Sequence, residues 1–357
     1  MTAIARPAQA SGDTGDAQRA AGIRFGLVRP SRLTDDFLEW VAAAERAGSS
    51  LLGFGDSQTM WPDPYIGLTL AAEHTERVRL GTWVTVPVTR HPTVAASAMS
   101  AIQQLSRGRA FLGIGPGDSA LITIGEAPVR LAEFEEYAVA VRELCAGREA
   151  TYRGRTLAMH WNVQPVPLWI AGDGPRMLEL GGRIGDGVIV GNGATPGLVE
   201  FARRHIASGA ASVGRSIDDI EVWFMVRVHV APTVDEGIAD LAFYLASYAN
   251  VRFRKSMHDK GVEVDDEMAE RIIAFRGEFD PSRAYTAALD YNVKLLEKYG
   301  LKQWLADQFL VTGPVDHIHQ SIRALVAAGA RNFAVPQMLE NPVATTVQVG
   351  QVFSSLG

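Results

Sequence analysis

Two glycine-rich turns are where this sequence could do chemistry. Gly113-Ile114-Gly115-Pro116-Gly117-Asp118-Ser119 follows one short apolar run, and Gly172-Asp173-Gly174-Pro175-Arg176-Met177 follows another. Glycine lets main-chain amides approach a ligand with no Cβ in the way, and a turn after a parallel strand leaves amides unpaired until something fills it. Pro175 suits a first helical turn, so the second site would offer free amides and a positive helix end, with Arg176 beside them for an anion. A Gly-x-Gly after a strand is by itself weak evidence that plain loop geometry explains better, and its partner turn shifts that balance. The dinucleotide fingerprint Gly-x-Gly-x-x-Gly is missing, because Met177 stands where its third glycine would be. Together the two turns predict an anion-binding crevice at the C-terminal ends of strands.

Other candidates lie at neighbouring strand ends. Asp56, in Gly55-Asp56-Ser57-Gln58, could move a proton or could simply cap a turn. Arg90 and His91, in Thr89-Arg90-His91-Pro92, either reach a substrate or cofactor tail or shape the entrance to the next helix, since proline disfavours helix before it. Trp61, Tyr65 and Trp83 could wall an aromatic substrate pocket, and core packing would explain them equally well. No nucleophile elbow, His-Glu-x-x-His helix or carboxylate set with metal-ligand spacing is present, so no metal is expected. His317 and His319 read as solvated positions near a helix start.

Composition bounds the partners. The chain has 357 residues, net charge −6 and a pI near 5.8, which argues against nucleic acid. The short basic cluster Arg252-Phe253-Arg254-Lys255 reads as a solvated helix face. The single cysteine, Cys145, excludes an internal disulfide or a cysteine metal cluster and fits a reducing cytoplasm. Its apolar helical setting favours a packed thiol. No apolar run reaches membrane length, and the N-terminal residues lack the apolar core of a secretory signal. Residues 1–22 are expected to be a disordered tail, and 23–357 a single domain of a cytoplasmic protein.

The elements that must position these residues alternate short β-rich runs with longer helical ones. Strands are expected at Arg24–Val28, Ser50–Gly55, Val78–Val86, Ala110–Gly115, Leu168–Ala171, Gly187–Val190, Ile220–Val230 and Asn332–Val335. Helices are expected after Ser31 or Thr34, over Asp63–Thr75, Thr93–Leu105 and Ala132–Cys145, from Pro175, and over Pro196–Ile206 and Pro314–Ala328. The strands are apolar throughout, as in parallel sheets covered on both faces. Eight βα units in one series, with no linker between halves, predict the α/β class and a closed (β/α)8 TIM barrel. A helical insertion of about 231–310 follows the seventh strand and would roof the mouth. Tyr152–Leu157, with Arg153-Gly154-Arg155 at its turn, reads as a small hairpin before the fifth strand. Tyr244, Tyr248, Phe253 and Trp304 could project from the insertion towards the mouth, or pack a lid.

Several segments, taken in order, carry a family resemblance. They are Arg79 through Pro92, Leu105-Ser106-Arg107-Gly108-Arg109, Gly113 through Ser119, Gly172 through Leu180, Gly185-Asp186-Gly187-Val188 and Ile322 through Ala330. With them the chain resembles the bacterial luciferase-like oxidoreductases, in the branch that includes methylenetetrahydromethanopterin reductase. The resemblance implies the eight-stranded barrel and hydride transfer to or from a small organic substrate by a deazaflavin, coenzyme F420. The alternative it carries is flavin mononucleotide (FMN) in the oxygenase half of a two-component monooxygenase, with a partner reductase supplying the flavin. The cofactor's phosphate would sit on Gly172, Asp173, Gly174 and Pro175, helped by Arg176, while Arg153 or Arg155 could hold the acidic tail of a deazaflavin. Ring contacts would come from Asp56, Ser57, Trp83, Val84, Thr85, Gly115 and Gly117, with a cis peptide at Trp83-Val84. A homodimer is implied as well. A noncatalytic flavin-binding or partner-binding barrel is disfavoured by the intact glycine turns. Two departures narrow the chemistry: Ser57 stands where several deazaflavin-dependent relatives have histidine, which leaves Asp56 as the acid/base candidate. Val28 stands where the pterin-reducing branch has glutamate, so a pterin-like substrate is not expected.

Overall fold

Short strands that are apolar on both faces can be buried only if helices cover one side and other strands fill the other, and this chain meets that requirement by closing a barrel. The computed structural model describes residues 22–191, 193, 195–253, 262, 264–280, 290–337 and 341–356. Most of the expected tail, residues 1–21, and Arg254 and Lys255 of the basic cluster lie outside the described residues. In chain order the strands are β1 (Arg24–Pro30), β2 (Leu51–Gly55), β3 (Arg79–Thr82), β4 (Ala110–Ile114), β5 (Ala150–Tyr152), β6 (Arg155–Leu157), β7 (Leu168–Ala171), β8 (Gly187–Val190), β9 (Glu221–Met225), β10 (Arg227–Val230), β11 (Leu310–Gly313) and β12 (Asn332–Pro336). Eight of them close the barrel in the order β1-β12-β9-β8-β7-β4-β3-β2. All of these pairs are parallel, with Leu27 opposite Leu52, Leu52 opposite Leu80 and Phe25 opposite Phe333.

Alternation along each strand sorts side chains into two cores. Phe25, Leu27, Leu52, Leu80 and Leu112 face the helices, whereas Val28, Leu51, Phe111, Trp169, Ile189, Trp223 and Ala334 fill the lumen. Phe111 stacks on Trp169 with ring centroids 4.1 Å apart, and Trp169 stacks on Trp223 at 5.9 Å. Below them Glu221 takes ion pairs from Arg79 at 2.7 Å and Arg24 at 3.3 Å, which closes the N-terminal end. Burial pushes the Glu221 carboxyl up, and the two arginines outweigh it, leaving it below the ordinary carboxylate range. The covering helices start where local chemistry allows: Asp63 caps Pro64–His74 by accepting the Tyr65 amide at 2.9 Å, and Gly174 precedes Pro175–Ile184. Cys145 is buried and its thiol is pushed up to about 12 by desolvation, which is the packed thiol expected from its setting.

Three boundaries differ from the sequence reading, and one further helix was not expected. The helix expected after Ser31 or Thr34 begins at Phe37. The third strand ends at Thr82 rather than Val86, because the chain turns out of the ladder and regains it only at Thr85, which bridges to Ile114. The expected strand Ile220–Val230 is two strands: Val226, fully buried, donates to the Ala334 carbonyl at 2.9 Å, and β10 then leaves the barrel to pair in parallel with β11. That two-stranded sheet brackets the insertion, whose helices, among them Val234–Asp240, Asp266–Glu278 and Lys302–Phe309, gather a core around Leu245, Phe275, Leu305 and Phe309. Finally, helix Pro342–Ser354 lies against the first helix, Phe37–Arg46, and seals the last strand against the first. The hairpin β5–β6 turns on Arg153 and Gly154, both with positive φ. Among the described residues no helix is long and apolar enough to cross a membrane, and no three potential metal ligands cluster.

Candidate functional site

Between β3 and β4 the mouth of the barrel acquires a backbone shelf. The Trp83-Val84 peptide is cis, as the family resemblance implies. Trp83 donates its amide to Phe54 at 2.7 Å, Thr85 donates to Gly113 at 3.0 Å, and Gly115 donates back to Thr85 at 3.0 Å, so the shelf is tied to strands on both sides. A Cβ at Gly115 would come within 2.8 Å of Val84 Cγ2 and 3.5 Å of Ala171, so glycine there is what lets the shelf sit against β4 and β7. Gly117 has φ +103°, a conformation that favours glycine. Val84, Gly115 and Ala171 therefore meet at one edge of the lumen. Trp83 points below it, edge-on to Phe111 at 6.4 Å and Trp169 at 6.3 Å.

Asp56 is what holds the shelf from the β2 side. One carboxylate oxygen accepts from the Thr85 hydroxyl at 2.7 Å and from Arg90 Nε at 3.0 Å, and the Asp56 side chain is only 2% exposed. Arg90 Nη2 continues to Asp63 at 2.7 Å, and its guanidinium lies 4.4 Å from the centroid of the Tyr65 ring. Burial pushes the Tyr65 phenol well above its ordinary range, Arg90 opposing and Asp56 adding to the effect. His91 caps Pro92–Leu105 and packs edge-on against Tyr152 of the hairpin at 5.5 Å. His91 thus shapes its helix entrance, whereas Arg90 reaches back to Asp56, Asp63 and Tyr65.

The second glycine turn opens differently from its sequence expectation. The Gly172 amide is already taken by the Ile189 carbonyl at 3.1 Å, and the Gly115 amide by Thr85, so neither offers a donor to a ligand. Cross-strand ladder bonds claim them, a demand that local glycine spacing does not reveal. Among the described residues the donors left over at this helix start are the Gly174 and Arg176 amides; Met177 and Leu178 donate back to the Gly174 carbonyl. Around Gly174 a Cβ would meet nothing within 4 Å, and the Arg176 side chain is exposed. Asp173 does not face this opening alone: its Oδ1 accepts the Gly191 amide at 2.8 Å and ties the turn to the end of β8. Two free amides, an open approach, a helix positive end and an exposed cation fit an oxyanion.

The three aromatic candidates lie in different surroundings, and no ring contact joins them. Trp61 lies under Arg32, 4.6 Å from its guanidinium, Tyr65 is enclosed under Arg90, and Trp83 belongs to the lumen. In the insertion, Tyr244 is buried 5.6 Å from the Arg227 guanidinium, and Trp304 packs on the insertion's own core. Tyr248 and Phe253 fall in a helix whose side chains there are outside the described residues. Ser57, in place of the relatives' histidine, shares a 2.7 Å hydrogen bond with Ser119. Gln58 donates to the Ala120 carbonyl at 3.0 Å and Thr59 to Thr123 at 2.6 Å, so the loops after β2 and β4 are stitched together across the end of β3. Sequence reasoning missed Ser119, and Asp63 as a partner of Arg90; serines and acids in loops carry no local signal of a partner 62 or 27 residues away.

Comparisons with known proteins place these features in context. The family model described as luciferase-like monooxygenase matches residues 23–332. The chain is 36% identical over 169 residues to 5,10-methylenetetrahydromethanopterin reductase of Methanolobus tindarius, a match that spans 45% of this chain and about half, 51%, of that relative. It is 29% identical over 259 residues to the F420-dependent glucose-6-phosphate dehydrogenase of Microbacterium testaceum, covering 66% of this chain and 77% of the relative. The fold is shared with the F420-dependent tetrahydromethanopterin reductase of Methanopyrus kandleri, at TM-score 0.75 and 22% identity over 92% of this chain and 97% of that one.

Proposed function

The chain belongs to the luciferase-like monooxygenase family, and from that premise we propose that it is an oxidoreductase that binds coenzyme F420 at the barrel mouth and transfers hydride to or from a small organic substrate. One observation carries the reading. A backbone shelf at Trp83-Val84, relieved of a Cβ at Gly115, shares the barrel mouth with a helix start that offers two unpaired amides, which suits a flat ring joined to a phosphate. The names of the two sequence relatives, both F420-dependent or pterin-reducing enzymes, favour the deazaflavin over FMN. When bound, the deazaflavin supplies the carbon that gives or takes the hydride.

The chain's own residues bind, orient and exclude water. Val84 and Gly115 form the flat seat, and Gly174, Arg176 and the start of helix Pro175–Ile184 hold the phosphate. Asp56 keeps Thr85, and so the seat, in place; its enclosure by Thr85 and Arg90 supports positioning more than proton transfer. The tied loops after β2 and β4 wall one side. Val28, fully enclosed in the lumen, provides no acid for a pterin. A homodimer of barrels in the cytoplasm completes the proposal.

Titration of purified protein with F420 and with FMN, followed by tryptophan fluorescence, tests the reading. Tight F420 binding with negligible FMN binding is expected. The reverse would overturn it in favour of an oxygenase component supplied with reduced flavin by a partner.

A further inference from the structure

Arg29 is a buried charge without a hydrogen-bond partner among the described residues. It sits near the C-terminal end of β1, next to Val28 of the lumen, so its side chain points outward beneath the helices. It is only 7% exposed, its Nη1 is buried without a partner, and its guanidinium makes no hydrogen bond or ion pair with any described residue. Guanidinium does not deprotonate in proteins, so burial cannot neutralise it as it would a lysine. Of the charged groups that act on it, Asp36 attracts from beyond ion-pair distance, with its own carboxylate held by Thr34, and Arg32 repels.

Two more buried, unpartnered donors belong to residues beside it. The guanidinium carbon lies 4.7 Å from the centroid of the Trp40 ring, and the Trp40 indole N–H, fully buried, has no partner. Gln337, 4% exposed, follows Pro336, which is opposite Val28; it donates its amide to Val28 at 2.7 Å and so stands in register beside Arg29. Its Oε1 accepts from Thr346 at 3.4 Å while its Nε2 is buried and unpartnered. Turning that amide over would offer one neutral acceptor to a group with five N–H donors, and the charge would still lack a counterion. Phe37 and Phe54 enclose the spot, packing on Trp40 at 6.2 and 6.0 Å.

We propose that Arg29, Gln337 and Trp40 form a buried site for one small monovalent inorganic anion of the size of chloride, on the helix side of the barrel wall rather than in its lumen. Three donors that no acceptor among the described residues satisfies, one of them on a full charge, favour an anion over water, which needs to donate as well as accept. A single positive charge in an apolar enclosure selects a single negative one, since a divalent ion would leave a buried charge uncompensated.

Thermal unfolding of the full chain at constant ionic strength, with sodium chloride replacing sodium gluconate, is the test. The midpoint of wild type should rise as chloride increases, since an anion bound only by the folded state stabilises it. The rise should vanish in Arg29→Met, which removes the charge and keeps the stem, and shrink in Gln337→Leu. Bromide-soaked crystals should show an anomalous peak beside Arg29, a readout that stands even if Arg29→Met does not fold. A wild-type midpoint indifferent to chloride, an equal response in Arg29→Met, or a water in place of bromide would each overturn the proposal.

Discussion

Separating Asp56 from Arg90 is the most direct probe of how the mouth is built. Asp56 is almost wholly enclosed, whereas the Arg90 side chain is 18% exposed and keeps Asp63 as a second partner. Stranding one member of a buried pair costs about 3–5 kcal/mol, and the retained Asp63 contact puts Asp56→Ala at the low end, about 3 kcal/mol. Arg90→Met keeps the stem over Tyr65 and leaves Asp56 the Thr85 hydroxyl; losing the buried charge-assisted hydrogen bond to Asp56 then costs about 2 kcal/mol, and the bond to the exposed Asp63 adds little. The double variant strands neither charge and should cost about 3 kcal/mol where independent effects would give about 5, a coupling of about 2 kcal/mol. Urea unfolding at neutral pH measures all four corners, with unchanged denaturant slopes as the check that the unfolded state is unaffected. Cofactor titration adds a second readout, because freeing Thr85 loosens the shelf: F420 affinity should fall in Asp56→Ala and fall less in Asp56→Asn, which keeps a neutral acceptor for Thr85. Costs that add to within about 0.5 kcal/mol would refute the clamp, since that is the scatter expected of independent sites.

Gly115→Ala places a methyl 2.8 Å from Val84 Cγ2, so overpacking should cost about 1–2 kcal/mol and weaken F420 binding together; fluorescence titration with wild-type affinity would mean Val84 does not line the ring's seat. Glu221 bears on acid stability. Its folded pKa lies below the unfolded one, so its contribution is complete above about pH 4.3, the ordinary glutamate value, and is lost as pH falls through the folded value. Glu221→Gln should lower stability at neutral pH and flatten the acid limb of the stability curve measured by urea midpoints; an unchanged limb would remove Glu221 from that account.

What the sequence by itself determined here is the barrel and the address of its mouth. Strands buried on both faces must be apolar along their length, and helix starts such as Asp63-Pro64, His91-Pro92 and Gly174-Pro175 are written in adjacent residues, so both are legible without the fold. The family motifs likewise placed the cis peptide at Trp83-Val84. Only the tertiary structure decided which amides remain free, because Gly172 answers to Ile189 and Gly115 to Thr85 across strand pairs that no local spacing encodes. It also decided that Arg90 serves Asp56, that the chain leaves the barrel after Val226, and that Arg29 is sealed in without a counterion among the described residues. Each depends on a partner far along the chain, and hydrogen bonds and ion pairs are settled by position in space, whereas hydrophobic periodicity needs only the residue and its neighbours.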